Sequence, residues 1–235
     1  MRLDQYIHQQ LNVQSRNKAS ELIRAKQVLV DGKIITKTSF KVDDTSTIEI
    51  LVDEVFVSRS AEKLNQFLLE NPINIQNKTA LDIGSSTGGF TQILLKYEAP
   101  SITCVDVGSN QLHDTLRDNS KLIIKENTDI REFQSETKFE VVTCDVSFIS
   151  ILSILEDIDR LALEDIIILF KPQYEVGNNV KRDSKGVVKD IKAIERSAVL
   201  FETEAFKYNW KLIQKENSKV SGKEGNVEIV YHFKK

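Results

Sequence analysis

The chain has 235 residues, of which 40% are apolar and 29% are charged. This length suits two domains, and the composition is that of a soluble globular protein with a full core, which excludes an intrinsically disordered chain. The longest aliphatic stretch, residues 166–170, is far shorter than the ~20 residues that span a bilayer, so no membrane-spanning helix is expected and the expected location is the cytoplasm.

The net charge of -3 is unevenly distributed along the chain. Residues 1–42 contain eight Lys or Arg and three Asp or Glu, whereas residues 43–235 contain 24 and 32. Positive charge concentrated on a short N-terminal module favours contact with nucleic acid, and a solvated charged surface is the alternative.

The spacing of apolar residues predicts two short amphipathic helices, one over residues 2–11 and one after Ser15, a residue type favoured at helix N-caps. On the second helix Arg16, Ser20 and Arg24 recur every four residues, so they share one face. We expect this face to contact phosphate groups.

Two β-prone runs follow, 28–30 and 33–35, and the Asp31-Gly32 pair between them favours a two-residue hairpin. This N-terminal region resembles the RNA-binding domain named after ribosomal protein S-four, on the motifs Arg2-Leu3-Asp4, Ser15-Arg16, Leu22-Ile23-Arg24 and Val28-x-Val30-Asp31-Gly32. The resemblance implies a small α+β RNA-binding domain over residues 1–57, followed by an interdomain linker over 58–63. The expected RNA contacts are Arg2, Arg16, Lys18, Ser20, Arg24, Lys26 and Arg59.

Beyond residue 63, apolar runs alternate with helical patterns, which is typical of a parallel sheet covered by helices on both faces. We predict strands at 79–83, 102–107, 122–125, 141–145 and 166–170. Two further β-prone runs, 211–216 and 226–233, are expected to pair antiparallel at one sheet edge. The predicted fold of residues 64–235 is therefore α/β, a Rossmann-like sheet of seven mostly parallel strands.

Residues 81–90 read as a strand end, a glycine-rich turn and a helix start. Glycine permits positive φ angles and close approach of a ligand to the backbone, and a helix N-terminus presents unpaired N–H groups. The spacing of Gly84, Gly88 and Gly89 does not fit G-x-G-x-x-G, which disfavours a dinucleotide cofactor and a nicotinamide-dependent oxidoreductase.

This turn resembles the first motif of the Rossmann-like methyltransferases, whose loop passes under the methionine part of S-adenosylmethionine. Asp106, about twenty residues further on, is placed to accept hydrogen bonds from the ribose hydroxyls. Asp129 is placed to receive the adenine amino group, and an exposed loop carboxylate is the alternative there. The resemblance implies the cofactor-binding residues Asp82, Gly84, Ser85, Ser86, Gly88, Gly89, Phe90, Asp106, Val107, Asp129, Ile130 and Asp145.

Four charged residues fall where the FtsJ-type ribose 2′-O-methyltransferases carry their catalytic groups: Lys63, Asp145, Lys171 and Glu228. A ribose 2′-hydroxyl is a weak nucleophile, so its proton must be removed or the developing alkoxide must be stabilised. We expect Lys171 to serve as general base or alkoxide stabiliser, with a pKa lowered by partial burial and by Lys63. Asp145 would orient Lys171, and Lys63 and Glu228 would complete the network. A purely structural Lys–Asp pair is the alternative.

From the N-terminal module to Gly225-Asn226-Val227-Glu228, the chain resembles the TlyA family over essentially its whole length. The family implies S-adenosylmethionine-dependent 2′-O-methylation of cytidines in ribosomal RNA, and an influence on capreomycin and viomycin susceptibility. Large-subunit RNA is favoured and small-subunit RNA stays open. The expected partners are ribosomal RNA or a ribosomal subunit, and the expected state is a monomer or weak dimer.

Two other functions stay open, namely a membrane-active hemolysin and a ribosome assembly factor with an inactive methyltransferase domain. The sequence lacks a strongly amphipathic cationic helix, and its glycine turn and lysines are intact, which disfavours both. His8, His113 and His232 lack metal-ligand spacing, so no metal is expected. Cys104 and Cys144 are expected to flank one strand at ~9–10 Å, too far apart for a disulfide.

Overall fold

The computed structural model describes residues 1–11, 13, 15–51, 55–177, 179–222 and 224–235. The chain divides into two compact units, Met1–Ser58 and Arg59–Lys235. Within the described residues, none of the helices combines the length and the hydropathy required to cross a membrane.

The first unit packs two helices against a small antiparallel sheet. The helices are α1, Leu3–Gln10, and α2, Arg16–Arg24. The strands are β1, Val28–Val30, β2, Lys33–Ile34, and β3, Ile48–Ile50, in the order β2-β1-β3. Apolar side chains of both layers form the core of this unit, including Leu3, Ile7, Ala19, Leu22, Ile23, Val28 and Val30.

Two local predictions for this unit are confirmed by the backbone. The Ser15 hydroxyl caps α2 by accepting the N–H of Lys18 at 3.1 Å. Asp31 and Gly32 have φ angles of 50° and 74°, as a type I′ hairpin turn requires at both central positions. The helix and hairpin boundaries therefore follow from capping and turn chemistry in the sequence.

The second unit is built on a seven-stranded sheet in the order β6-β5-β4-β7-β8-β10-β9. Strands β4 to β8 are parallel to their neighbours within that group, and β10 is antiparallel to both β8 and β9. This confirms the predicted α/β class and the antiparallel pair at one edge. The strands are β4 Ala80–Ile83, β5 Ile102–Val105, β6 Leu122–Lys125, β7 Phe139–Cys144, β8 Ala162–Phe170, β9 Lys211–Asn217 and β10 Ile229–Lys234.

Helices connect these strands and cover the sheet. They are α3 Arg59–Glu70, α4 Gly89–Lys96, α5 Asp114–Arg117, a 3-10 helix Ile151–Ile154, α6 Leu155–Leu161, α7 Pro172–Glu175 and α8 Ile191–Lys207. The sequence predicts a linker over 58–63, but helix α3 already begins at Arg59. Ala61, Lys63 and Leu64 are buried, so the first turns of α3 are packed inside the second unit and do not form an open linker.

The two cysteines lie on the strands that flank β4. Cys104 is on β5 and Cys144 is on β7, and both are buried free thiols. This confirms their expected placement. Burial raises the pKa of the Cys104 thiol to about 12 and that of Cys144 higher still.

The functional side chains collect where β4, β5, β7 and β8 end, which we call the carboxyl edge of the sheet. Strand β10 begins at the same edge, because its first residue, Ile229, pairs with Phe170, the last residue of β8. In open α/β sheets this edge is the usual place of ligand binding.

Candidate functional site

A cavity of about 430 Å³ opens at the carboxyl edge of the sheet. Apolar side chains such as Ile83, Val105 and Val146 form much of its wall, and polar groups of the strand ends and loops complete it. The predicted cofactor-binding residues that line it are Gly84, Ser86, Asp106, Val107, Asp129, Ile130 and Asp145.

Gly84 forms part of the cavity floor in a conformation that demands glycine. Its φ angle is 74°, and a Cβ built at this position would lie 3.0 Å from the backbone oxygen of Asp145. A side chain there would meet the neighbouring strand end, which cannot move without disturbing the sheet. The absence of a side chain thus lets β4 and β7 close around the cavity.

The other predicted cofactor residues, Asp82, Ser85, Gly88, Gly89 and Phe90, do not line the cavity. The Asp82 carboxylate is fully buried and accepts hydrogen bonds from the hydroxyls of Thr91 and Thr143, at 2.6 and 2.8 Å. Burial raises its pKa to about 6. Asp82 therefore joins α4 and β7 to β4 beneath the glycine turn instead of facing a ligand.

Gly88 has a left-handed backbone conformation that favours glycine, and two leucine side chains pack closely against it. A Cβ on this residue would lie 2.5 Å from Leu116 Cδ1 and 2.7 Å from Leu112 Cδ1, and its φ angle is 86°. Leu112 and Leu116 lie in the segment 108–117, which packs on the glycine-rich turn at Gly88.

The Asp106 carboxylate organises the loops around the cavity. It accepts the backbone N–H groups of Ser86, at 2.8 Å, and Gly108, at 2.7 Å. Each carboxylate oxygen retains a second lone pair for a ligand donor. This geometry fits the predicted acceptor for ribose hydroxyls.

The Asp129 carboxylate already accepts several hydrogen bonds from within the protein. Its carboxylate accepts the backbone N–H and the guanidinium of Arg131, and these contacts lower its pKa to about 2. Thr128, Ile130 and Arg131 line the cavity beside it. The adenine contact assigned to Asp129 stays a prediction.

Glu126, which the sequence analysis missed, shapes the neighbouring wall. Its carboxylate accepts the backbone N–H groups of Asn110, Gln111 and Leu112 at 2.8 to 3.0 Å, and the guanidinium of Arg117 at 2.7 Å. Although partial burial opposes it, this set of donors lowers the pKa of Glu126 to about 2. We call this arrangement the Glu126 clamp, and it holds Gln111 against the cavity. In the sequence, only the position of Glu126 directly after the predicted strand 122–125 points to this role.

Lys171 and Asp145 form an ion pair at the ends of adjacent strands. The Lys171 Nζ lies 2.6 Å from Asp145 Oδ1 and donates a hydrogen bond to Ser147 Oγ at 2.9 Å. Asp145, Ser147 and the neighbouring Phe148 line the cavity. Asp145 thus stands at the cavity wall, and Lys171 lies directly behind it.

Lys63 and Glu228 form a second, more deeply buried pair. Their Nζ and Oε2 atoms are 2.6 Å apart, and the two side chains are 7% and 4% exposed. The Gln173 amide donates to Glu228 Oε1 at 3.1 Å. The charge of Glu228 acts on both Asp145 and Lys171. The structure therefore brings together all four predicted catalytic residues, and adds Gln173, which lies two positions after Lys171.

The pKa shifts within this network correct one expectation. Burial raises the pKa of Asp145, and Lys171 offsets this only in part. Burial by itself would lower the pKa of Lys171, but its ion pair with Asp145 and the charge of Glu228 outweigh burial, so the pKa is raised. The predicted lowering of the Lys171 pKa is wrong, because two carboxylates face this ammonium. Lys171 is a fixed positive charge at neutral pH.

Phe148 is an exposed aromatic residue at the mouth of the cavity. Its side chain is 86% exposed, its backbone has φ of 69°, and its ring lies 5.3 Å from that of Tyr174 between centroids. A positive φ is uncommon for a bulky residue and marks a strained backbone.

Some of the predicted RNA contacts already have partners within the protein. Arg2 and Arg16 both donate to the buried carboxylate of Asp4, at 2.9 and 3.1 Å. The Ser20 hydroxyl donates to the carbonyl of Arg16. Arg24 and Lys26 are exposed, Lys18 lies 3.8 Å from Glu21, and Arg59 is exposed at the start of α3.

Family models and known proteins match this architecture. The model for FtsJ-like methyltransferase matches residues 56–235, and that for the S4 domain matches residues 1–48. The chain is 51% identical to the 23S rRNA (cytidine-2′-O)-methyltransferase TlyA of Campylobacter jejuni, with 99% of both chains covered. The chain belongs to the TlyA family of FtsJ-like methyltransferases. This confirms the resemblances to the S-four domain, to the FtsJ-type methyltransferases and to the TlyA family.

Other relatives are named as hemolysins or as methyltransferases of both 16S and 23S rRNA. Hemolysin A of Brachyspira hyodysenteriae is 35% identical over 99% of both chains. The 16S/23S rRNA (cytidine-2′-O)-methyltransferase TlyA of Mycobacterium tuberculosis is also 35% identical, over 91% of this chain and 82% of its own length. A solved structure from Streptococcus thermophilus, named as a hemolysin, covers 100% of this chain and 88% of its own with a TM-score of 0.73 and 27% identity.

Proposed function

We propose that the chain is a ribosomal RNA 2′-O-methyltransferase that transfers a methyl group from S-adenosylmethionine to a cytidine ribose. The observation that carries the proposal is the placement of Asp145, ion-paired with Lys171, at the wall of a cavity that Gly84 also lines, with the Lys63–Glu228 pair acting on both groups. Family membership and the relatives' names support the reaction class and the substrate.

The residues of the cavity fit S-adenosylmethionine. Gly84 leaves room for close approach to the floor, and Asp106 keeps lone pairs for the two ribose hydroxyls. Apolar side chains such as Val107 and Ile130 offer surface for the adenine ring. When bound, this cofactor supplies the electrophilic methyl group.

Lys171 acts on the ribose hydroxyl through its charge. Its raised pKa keeps the ammonium protonated, so it stabilises the negative charge that develops on the 2′-oxygen during attack. A neutral lysine base would require a lowered pKa. The raised pKa of Asp145 makes this carboxylate the better proton acceptor of the pair at neutral pH.

Large-subunit RNA is the proposed substrate. The 51% identical Campylobacter relative carries 23S rRNA in its name, and the two chains match over 99% of their lengths. The M. tuberculosis relative named for both 16S and 23S rRNA is longer than this chain, which covers 82% of it. The proposal extends to a change in capreomycin and viomycin susceptibility when the enzyme is lost.

One assay tests the activity and its target. Purified protein is incubated with methyl-labelled S-adenosylmethionine and with large subunits, small subunits or the corresponding free RNA, and modified riboses are mapped. We expect label at the 2′-oxygen of a cytidine in large-subunit RNA. Absence of label in every RNA, with folded protein, would refute the function, and label confined to small-subunit RNA would refute the target.

A further inference from the structure

A second concentration of positive charge lies in the catalytic unit, at residues 181–192, which we call the basic hairpin. It carries five Lys or Arg and two Asp, whereas the rest of residues 59–235 carries 19 Lys or Arg and 25 Asp or Glu. A basic segment on an otherwise acidic unit takes no part in the chemistry proposed for Lys171. It therefore calls for another role.

The hairpin has a defined backbone. Arg182 and Val188 pair in an antiparallel bridge, and the Asp183 carboxylate accepts the N–H groups of Lys185 and Val187, each at 2.9 Å. The side chains of Val187 and Val188 are buried. The valines fix the hairpin to the unit, so its lysines stand on a preorganised support.

The support connects directly to the catalytic network. The Asn226 side-chain oxygen accepts the N–H of Val188 at 3.1 Å, and the Asn226 carbonyl accepts the N–H of Gly222 at 2.9 Å. A Cβ built on Gly222 would lie 2.7 Å from Glu228 Oε1. Asn226 and Gly222 thus link the hairpin to the catalytic carboxylate of Glu228, at the carboxyl edge of the sheet.

Three lysines of the hairpin are available for a partner. Lys181, Lys185 and Lys192 are exposed, and within the described part of the chain they form no ion pair. Lys189, by contrast, lies 3.2 Å from Asp183. The available charges are point charges on flexible stems, a type of group that binds phosphate without reading a base.

We propose that the basic hairpin binds RNA backbone phosphates beside the target nucleotide. The inference rests on the proposed function, since it assumes an RNA substrate at Lys171. The catalytic unit then holds the strand itself, in addition to any contacts from the first unit. Because the hairpin is joined to the loop that contacts Glu228, a strand bound on it is fixed relative to the reacting groups.

The test compares two triple variants with the same change in net charge. The hairpin variant carries Lys181→Gln, Lys185→Gln and Lys192→Gln. The control variant carries Lys121→Gln, Lys138→Gln and Lys211→Gln, at exposed lysines next to the starts of β6, β7 and β9, on the opposite edge of the sheet. Binding of a protein-free large-subunit RNA fragment and of intact large subunits is measured at several salt concentrations, beside calorimetric binding of S-adenosylmethionine.

We expect the hairpin variant to bind the RNA roughly tenfold or more weakly, and its salt dependence to lose a slope of about 2–3, because each lost phosphate contact removes about 0.7–0.9. The control variant should match the wild type, and all three proteins should bind the cofactor equally. Should the triple variant unfold, the single exchange Lys185→Glu at the exposed turn should still weaken RNA binding relative to Lys138→Glu.

Three results would overturn the inference. The first is a hairpin variant that binds the RNA with the affinity and salt slope of the wild type. The second is a loss confined to intact subunits with free RNA unaffected, which would assign the hairpin to an acidic protein partner. The third is a matching loss in the control. Failure of the proposed function is seen separately, as a wild-type protein that binds no cofactor or methylates no RNA.

Discussion

The ammonium of Lys63 and the carboxylate of Glu228 lie 2.6 Å apart although 165 positions separate them in the chain. Helix α3 supplies the lysine and the segment before β10 supplies the glutamate, so the first helix and the last strand of the catalytic unit are joined at the carboxyl edge. Both side chains are almost fully buried. Water therefore cannot solvate either charged group when its partner is removed.

Removing one member of this pair should destabilise the unit more than removing both. Glu228→Gln or Lys63→Met leaves an uncompensated buried charge or donor, which costs about 3–5 kcal/mol. The double variant should lose less stability than either single variant. Urea unfolding followed by the fluorescence of Trp210, the single tryptophan of the chain, measures all three. Additive losses would contradict a direct pair.

Lys171→Ala should reduce methyl transfer by roughly 10²–10³-fold, the usual loss on removing one preorganised group that stabilises an oxyanion. Binding of S-adenosylmethionine should change little, because Lys171 is not among the cavity-lining residues. Single-turnover rates and calorimetry separate these effects, and Lys138→Ala, at an exposed lysine on the opposite edge of the sheet, is the matched control. Unchanged transfer in a folded Lys171→Ala protein would remove the lysine from the mechanism.

The rate of methyl transfer should rise with pH on the acid side and then level. Asp145 must be ionised to accept a proton, and burial raises its pKa, so the acid limb should have its midpoint above the ordinary aspartate value of 3.8. The raised pKa of Lys171 keeps its charge through the neutral range. Asp145→Asn should abolish the acid limb. A continuing rise that follows a lysine titration below pH 9 would instead support a neutral lysine base.

Loss of the Glu126 clamp should weaken cofactor binding without affecting RNA. Glu126→Ala frees three backbone N–H groups and Arg117, so residues 110–112 lose their fixed position at the cavity wall. The KM for S-adenosylmethionine should rise several-fold while kcat at saturation stays close to the wild type. Glu126→Gln, which keeps one acceptor oxygen, should recover part of the loss. An equal fall of kcat would show that the clamp acts on chemistry instead.

Asp82→Asn should gain stability relative to the wild type as pH increases. The folded-state pKa of Asp82, about 6, lies above its ordinary 3.8, so the folded state holds this proton more tightly than the unfolded chain does. The resulting stabilisation is full below 3.8 and is lost as pH rises through about 6, a change of about 3 kcal/mol. Unfolding free energies at about pH 4.5 and about pH 8 test this. A difference that does not vary with pH would contradict a buried titrating carboxylate.

Much of this architecture could be predicted because periodicity and turn chemistry are local. The Asp31-Gly32 hairpin and the strand that ends before Gly84 follow directly from such signals. The Glu126 clamp could not be predicted, because its donors are backbone N–H groups of a loop whose path is set by packing of Leu112 and Leu116 on Gly88.

The direction of the Lys171 pKa also required the three-dimensional arrangement. A pattern shows that Asp145 and Lys171 end neighbouring strands, but the sum of burial and two facing carboxylates depends on distances. Asp82 illustrates the same point, since its place in the glycine motif suggests a ligand while Thr91 and Thr143 enclose it. The position of a residue in a motif predicts its secondary-structure element, whereas its role depends on where its side chain points in the fold.

The buried thiols of Cys104 and Cys144 have a practical consequence. Thiol reagents attack the thiolate, and burial raises the pKa of both groups far above neutrality, so neither should react with a maleimide in the folded protein. The chain has no other cysteine. Such reagents should therefore leave the folded wild-type protein unlabelled. A single cysteine introduced at position 185 can then carry a crosslinker or a fluorophore that reports on the binding partner of the basic hairpin.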